Sequence, residues 1–241
     1  MPFFYMDYWY LILVVPALLV SIWAQFRVKS TFSKYSSLAV RCGLTGRQTS
    51  EYMQRGGGIA VEVERGGGIA VEVEPVAGSM TDHFDPRTNV IRLSEPVYDR
   101  CSVAAVGVAA HETGHALQHA EGYAPVKWRT ALVPVTNFSA RLSPLLVVLG
   151  IVLSYDILAY AGIALFSVAV LFQLVTLPVE FNASRRALAA LEGSGQFSDE
   201  ELRGIRKVLS AAALTYVAAM LVSLMSLLRL ILLVNGRSRR R

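Results

Sequence analysis

The chain has 241 residues, of which 54% are hydrophobic and 17% are charged, and its formal net charge is +5. Soluble domains average about 25% charged residues, so this composition excludes an ordinary soluble domain and favours a membrane protein. Its mean hydropathy of +0.44 agrees. The basic residues lie beside apolar segments, where they set topology and contact anionic headgroups, so no nucleic-acid partner is predicted. The two cysteines, Cys42 and Cys101, lack CxxC spacing and are expected to be reduced packing residues.

The first apolar segment, residues 8–26, is interpreted as an uncleaved membrane anchor. It is close to the roughly 20 residues that span a bilayer core. Its N-terminal flank carries Asp7 and no basic residue, whereas a signal peptide begins with a basic region. Basic residues follow the segment instead, which places its N-terminus outside and its C-terminal flank in the cytoplasm.

The polar region 27–141 is predicted to form a small α+β domain. It contains an exact tandem repeat, RGGGIAVEVE, at 55–64 and again at 65–74, and each copy alternates as a strand does. If the two copies paired in a hairpin, a four-residue loop would place apolar residues opposite charged ones, and a three- or five-residue loop would place glutamates opposite glutamates. Both arrangements are unfavourable. We therefore expect that one copy is dispensable. The stretch NVIRLS, 89–94, also alternates, and it is either an edge strand that binds extended substrate or a core strand.

A helix is predicted from the N-cap Ser102 to Ala120, with Gly122 ending it. It carries HETGH, in which His111 and His115 are four residues apart and therefore share one helix face. Both imidazoles can reach one metal ion, and Glu112 on the flank of that face can act as a base toward metal-activated water. Polar side chains in so apolar a helix would be unsatisfied without a ligand.

Neither nearby candidate for the third ligand fits well. His119 lies two turns, about 12 Å, beyond His111. Glu121 follows His115 by six residues, but the helix-breaking glycine that such a site needs is absent, since Gln118 stands there. The better candidate is Glu180, in the downstream stretch LPVEFNASRRAL. The alternative for Glu180 is a surface carboxylate paired with an arginine.

Three blocks of the sequence carry a family resemblance: TDHFDPRTNVIRLSEPVY, AAHETGHALQHAEGYAPVKWR and LFQLVTLPVEFNASRRAL. They resemble the YugP-type neutral zinc metallopeptidases of bacterial membranes and, more remotely, HtpX-like and CAAX-prenyl membrane proteases. The resemblance implies that His111, His115 and Glu180 bind one zinc ion per chain and that Glu112 is the base. Ser184 stands where the remote relatives have an aspartate beside the metal site.

This ligand set implies a membrane topology. His115 and Glu180 must lie on one side, so residues 142–178 are expected to form a transmembrane hairpin that turns at 154–156. Because the apolar stretch 142–153 reaches only about 18 Å as a helix, its arm must be extended, be tilted in a thinned bilayer or begin before Arg141. Flanking arginines place catalysis in the cytoplasm, although the tail RSRRR favours the opposite orientation.

The expected architecture is a mainly α membrane protein, a helical transmembrane bundle with a small zincin-like (gluzincin-type) α+β catalytic domain. The segments in chain order are the anchor 1–26, the catalytic domain 27–141, the hairpin 142–178, cytoplasmic helices 179–207, a last transmembrane helix 208–234 and the basic tail 235–241. The Ser198–Glu201 pair is predicted to cap a helix that leads into the last apolar segment.

The expected function is that of a zinc metalloendopeptidase in a bacterial cell membrane, with a peptide or protein substrate and the lipid bilayer as its partners. The alternative is a non-catalytic membrane zinc protein that acts as a scaffold or partner-binding module, which would need zinc but not Glu112. A hydrolase for another bond would keep Glu112. Further candidates for contacts around the metal or with substrate are His119, His83, Asn182 and Arg185. The sequence leaves the oligomeric state open.

Overall fold

The computed structural model describes residues 8–56 and 71–238. The chain divides into two compact units. The first, called the membrane unit, comprises residues 8–25, 127–178 and 214–238, and the second, called the sheet unit, comprises residues 26–56, 71–126 and 179–213.

Four long helices dominate the described chain. A π-helical turn, Tyr10–Val14, precedes α1 (Val15–Ser36), and the other three are α5 (Ala124–Val152), α6 (Asp156–Gly193) and α7 (Asp199–Ser238). All four are long and apolar enough to cross a membrane. The protein is therefore mostly helical with four candidate membrane spans, as the composition predicts.

Helix α5 supplies the length that the short apolar stretch 142–153 lacks. It is 29 residues long and includes Pro134 and Pro144, so this helix begins before Arg141. Proline is tolerated in membrane helices because neighbouring groups satisfy the freed carbonyls. The predicted turn lies between α5 and α6, where Ser154 has a φ of +58°.

Small residues allow the helices of the membrane unit to approach closely. A Cβ added at Gly162 would lie 2.8 Å from the backbone nitrogen of Val147, and the Ser143 hydroxyl donates a hydrogen bond to the Gly162 carbonyl. Buried Val147, Ala159, Ile163 and Val234 pack around this contact. Close backbone approach at small residues is how helices associate in lipid.

The sheet unit contains the remaining elements. They are α2 (Gly46–Gln54), β1 (Glu72–Val76), β2 (His83–Asp85), β3 (Val90–Ser94), α3 (Glu95–Tyr98) and α4 (Val103–Ala120). The three strands are ordered β1-β3-β2, with β1 parallel and β2 antiparallel to β3. The interpretation of NVIRLS as an edge strand is therefore wrong, because its strand lies in the centre. Ile91 and Leu93 are fully buried, which explains the position.

Helix α4 begins and ends where its sequence predicts. The Ser102 hydroxyl accepts a hydrogen bond from the Ala105 N–H, and Gly122 adopts a φ of +66° just after the helix. The predicted capping box at the start of α7 is also present, since the Ser198 N–H donates to Glu201. Both ends depend on local hydrogen bonds, so the sequence alone identifies them.

Small side chains make α4 the central helix of the sheet unit. Ala105, Ala109 and Ala116 pack against the core that contains Ile91 and Leu93 of the sheet. A second core surrounds α4 with residues of α6 and α7: Ala104, Val106, Ala110, Ala187, Leu191, Ile205 and Leu209. A helix covered on both sides holds its polar side chains in fixed positions.

The tandem repeat falls mostly on residues 57–70, which lie outside the described residues. The end of the second copy enters β1, in agreement with the predicted strand. The expectation that one copy is dispensable stays a prediction.

Candidate metal centre

Helix α4 places the two histidines of HETGH side by side. The ring centroids of His111 and His115 are 4.7 Å apart, and the ring planes lie at 81° to each other. Glu180 approaches from α6: its Oε2 is 3.3 Å from His111 Nε2 and 3.4 Å from His115 Nε2. The donor atoms of all three residues lie within 4.8 Å of one another.

This arrangement fits the requirements of a zinc ion. Zinc–nitrogen and zinc–carboxylate bonds of about 2.0–2.1 Å in tetrahedral geometry separate the ligand atoms by about 3.3 Å. The two Nε2–Oε2 distances have this length. The set contains two imidazoles and one carboxylate, with Glu180 only 2% exposed. These three residues could therefore hold a zinc ion, with a further coordination position left for water or substrate.

Gly114 brings α4 and α6 together at the site. A Cβ at this position would lie 2.6 Å from the Ala183 carbonyl oxygen. No side chain fits there, so the two helices touch backbone to backbone. Ala183 is three residues from Glu180, and this contact sets the approach of the Glu180 carboxylate to the two imidazoles.

The Glu112 carboxylate is buried on the flank of the histidine face, where its Oε2 accepts a hydrogen bond of 3.0 Å from the Phe84 N–H. Phe84 is the middle residue of β2, an edge strand of the sheet. In the part of the chain that the structure describes, no other hydrogen bond to Glu112 is found, so Oε1 is available for a proton.

The ring nitrogens that face away from Glu180 are also held. His111 Nδ1 lies 3.1 Å from the Ser184 hydroxyl, and His115 Nδ1 lies 3.0 Å from Gln118 Oε1. Ser184 thus contacts one of the two histidines of the site. Partners of this kind orient a metal-binding imidazole and select its tautomer.

The charge around His115 favours a cation. Burial of its ring lowers the pKa, but the Glu180 carboxylate, with smaller contributions from Glu112 and Gln118, outweighs burial, and the net result is a raised pKa. The negative charge that favours a proton on the ring also favours a metal ion in its place.

The local alternatives for a third ligand lie apart from this cluster. The exposed His119 ring packs 5.7 Å from the Phe84 ring. Glu121 forms an ion pair of 2.6 Å with Arg186. Neither belongs to the group of donor atoms that could share a metal ion among the described residues.

The other candidate residues have different surroundings. His83 is exposed, and its Nδ1 lies 2.8 Å from the Thr81 carbonyl oxygen in the turn before β2. Asn182 is close to the site, since its Oδ1 accepts hydrogen bonds from Gln118 and Arg186. Arg185 is exposed to solvent. Only Asn182 of these three is connected to the histidines, and it is connected through Gln118.

Two contacts of the site were missed by the sequence interpretation. The sequence interpretation names Gln118 only as the residue that stands in place of a glycine, and it does not include the backbone N–H of Phe84. A signal for Gln118 exists, because a glutamine inside an apolar helix needs hydrogen-bond partners. The Phe84 N–H has no such signal, since it depends on the fold.

The similarities of the chain to known proteins agree with this geometry. Residues 10–235 match the family described as "Putative neutral zinc metallopeptidase". The chain is 48% identical over 230 residues to the "Putative membrane protease YugP" of Bacillus subtilis (strain 168), and the match covers 95% of this chain and 98% of the relative. No solved structure matches the chain at a significant level.

Proposed function

The chain belongs to the neutral zinc metallopeptidase family, and we propose that it hydrolyses peptide bonds at a zinc site formed by His111, His115 and Glu180, with Glu112 as general base. The convergence of the two imidazole Nε2 atoms on Glu180 Oε2 is the observation that carries this proposal. We also propose that the sheet unit is a zincin-like domain, because its metal helix packs against a sheet whose edge strand contacts the base.

The protein positions the reacting groups around the metal. A bound Zn²⁺ supplies a Lewis acid that polarises the peptide carbonyl and makes water nucleophilic near neutral pH. Glu112 accepts the proton of the attacking water at Oε1 and delivers it to the leaving amine. The Phe84 N–H holds Oε2 throughout, so the carboxylate stays oriented while it gains and loses the proton.

The outer edge of β2 is the proposed place for the substrate main chain. Because a strand residue directs its N–H and C=O to the same edge, the hydrogen bond from Phe84 to Glu112 indicates that this edge faces the base. Among the described residues, β2 pairs only with β3. Because the Phe84 N–H is engaged by Glu112, an extended peptide would add to this edge through the Phe84 carbonyl and neighbouring main-chain groups. A peptide bound there would bring a scissile bond near Glu112.

The Glu112→Gln variant tests catalysis separately from metal binding. Glutamine keeps the size and polarity of the side chain but cannot take up the proton. We expect zinc content and thermal stability close to wild type and a loss of proteolysis of about 10²–10⁴-fold. Cleavage of an unfolded membrane protein in detergent, quantified beside elemental zinc analysis, gives both values. The matched control is Glu95→Gln, an exposed glutamate on α3, which should remain active.

An active Glu112→Gln protein would contradict the proposed base. A wild-type protein that binds zinc but cleaves no peptide would favour the non-catalytic scaffold or a hydrolase for another bond.

We propose that the zinc site faces the cytoplasm of a bacterial cell. The support is the basic residues that follow the first apolar segment, Arg27, Lys29 and Lys34, together with the acidic residue Asp156 at the start of α6. In a background that lacks Cys42 and Cys101, an impermeant thiol reagent on whole cells should label Asp156→Cys but not Arg47→Cys. The reverse labelling would overturn this orientation.

A further inference from the structure

Gln118 is the one fully buried amide side chain on α4, and all of its polar atoms are engaged. Its Oε1 lies 3.0 Å from His115 Nδ1, and its Nε2 donates to the Val179 carbonyl and to Asn182 Oδ1, each at 2.8 Å. The side chain therefore connects a histidine of the metal centre to two groups on α6.

The Val179 carbonyl leaves the Gln118 amide only one orientation. A backbone carbonyl oxygen accepts hydrogen bonds and cannot donate them. The NH₂ end of Gln118 must therefore point to Val179, and the oxygen must point to His115. Since an amide oxygen also accepts only, the proton between the two side chains belongs to His115 Nδ1. With Nδ1 protonated, Nε2 of a neutral ring is left for a metal ion beside Glu180. Without a metal ion, the Glu180 carboxylate 3.4 Å away competes for a proton at Nε2.

Arg186 fixes the orientation of Asn182 by the same logic. A guanidinium has only donors, and Arg186 Nε lies 2.7 Å from Asn182 Oδ1. The oxygen end of Asn182 is thereby held toward both Arg186 and Gln118. Arg186 is itself anchored by Glu121 at 2.6 Å and lies 5.9 Å from the centre of the Tyr123 ring.

We propose that Gln118 is a positioning residue for the zinc reaction, and that Arg186 and Asn182 behind it fix the tautomer in which His115 offers Nε2 to the metal. The chain of contacts runs from a partly exposed ion pair to a metal ligand through side chains whose donor and acceptor ends have no alternative arrangement. This inference rests on the zinc site proposed above.

Among the described residues, His111 has no Nδ1 partner that would fix its tautomer. Its Nδ1 partner is the Ser184 hydroxyl, which can donate or accept, so this contact permits either tautomer. The two histidines of one motif are therefore held differently, and the relay should affect His115 alone.

Asn182 provides the sharpest test, because aspartate and leucine have nearly its size. Asn182→Asp keeps an acceptor for both Gln118 and Arg186, whereas Asn182→Leu has none. Zinc affinity of the full-length protein in detergent is measured by competition with a chelator. We expect Asn182→Asp to stay within about threefold of wild type, and Asn182→Leu and Gln118→Met to bind zinc about 10–100-fold more weakly. Equal losses for Asp and Leu at position 182, or wild-type affinity in Gln118→Met, would overturn the proposal.

A second measurement separates the relay from the zinc site itself. The chain has four histidines, so nitrogen-15 histidine spectra of the metal-free protein at alkaline pH can be assigned by substitution. The spectra are recorded in a Glu180→Ala background, because the Glu180 carboxylate competes for a proton at Nε2 of His115. In this background His115 should carry its proton on Nδ1 with Asn182 or Asn182→Asp, and should show a tautomer mixture with Asn182→Leu. This result is expected even if the wild-type protein binds no zinc. A His115 tautomer unchanged in Asn182→Leu would overturn the relay.

The matched control for the ion pair is Arg206, which pairs with Glu192 at 2.8 Å between α7 and α6. Arg206→Gln should leave zinc affinity unchanged, whereas Arg186→Gln should weaken it, because glutamine can present either end to Asn182. Equal effects of these two substitutions would show that the loss comes from general destabilisation and would contradict the relay.

Discussion

The two compact units each contain a glycine at which two helices touch, but the contacts have different surroundings. In the sheet unit, Gly114 lies against Ala183. Ala183 follows Glu180 by three residues and is adjacent in sequence to Ser184, which contacts His111. In the membrane unit, Gly162 lies against Val147 and Ser143, where the buried neighbours are aliphatic. The same packing device thus aligns metal-binding atoms in one unit and only joins helices in the other.

The two contacts have different geometric requirements. A metal site needs its ligand atoms within about 0.5 Å of the productive geometry, so the contact at Gly114 must fix both distance and direction. Association of helices in lipid depends on close packing with little directional requirement beyond the helix axes. We therefore expect equal changes at the two glycines to produce different losses.

Of the two glycine substitutions, Gly114→Ala is expected to have the larger effect. The added Cβ would meet the Ala183 backbone at 2.6 Å, and a backbone cannot rotate away. The helices must separate at the point that positions Glu180, and we expect zinc affinity to fall about 100-fold, the upper end of the range for disturbed metal surroundings. Chelator competition on the purified protein measures this loss.

The control lies on the same helix. A Cβ at Gly107 would lie 3.2 Å from the Cγ2 methyl of Ile205, a side-chain contact with α7 rather than with the metal-ligand helix α6, and this contact needs to relax by only a few tenths of an ångström. Gly107→Ala should therefore keep nearly all zinc affinity. Full zinc affinity in Gly114→Ala would contradict the claim that this contact positions Glu180.

A smaller effect, of another kind, is expected for Gly162→Ala. Its Cβ would lie 2.8 Å from the Val147 nitrogen and 2.9 Å from the Ser143 carbonyl oxygen. Overpacking of this sort costs about 1–3 kcal/mol of stability, so the thermal midpoint in detergent should fall while zinc content per folded chain is kept. Gly236→Ala, where the added Cβ meets nothing within 4 Å, should leave the midpoint unchanged. Loss of zinc from folded Gly162→Ala would show that both contacts control the site.

The sequence predicts the local features of this molecule well. Ser102, Gly122 and the Ser198–Glu201 pair identify helix ends because caps depend on residues within one turn. Helix geometry alone likewise predicts that His111 and His115 lie on one face, because they are four residues apart. Helix α5 is less well defined by its sequence: the apolar stretch 142–153 leaves three ways to complete the arm, whereas the helix runs from Ala124 to Val152.

Contacts between distant residues could not be predicted in the same way. Spacing left Glu180 as one candidate with an alternative, and the family resemblance was needed to assign it. Gln118 and Asn182 are 64 residues apart, and no local pattern pairs them. The central position of β3 also depends on β1 and β2 together, because alternation in NVIRLS fits an edge or a central strand.

The most direct test of the central claim is the zinc content of four purified proteins: wild type, His111→Ala, Glu180→Ala and His119→Ala. The two imidazoles and the Glu180 carboxylate converge on one position, whereas the His119 ring packs on Phe84. We predict about one zinc ion per chain in wild type and in His119→Ala, and nearly none in His111→Ala and Glu180→Ala. A protein that loses its zinc with His119→Ala and keeps it with Glu180→Ala would contradict the proposed metal centre.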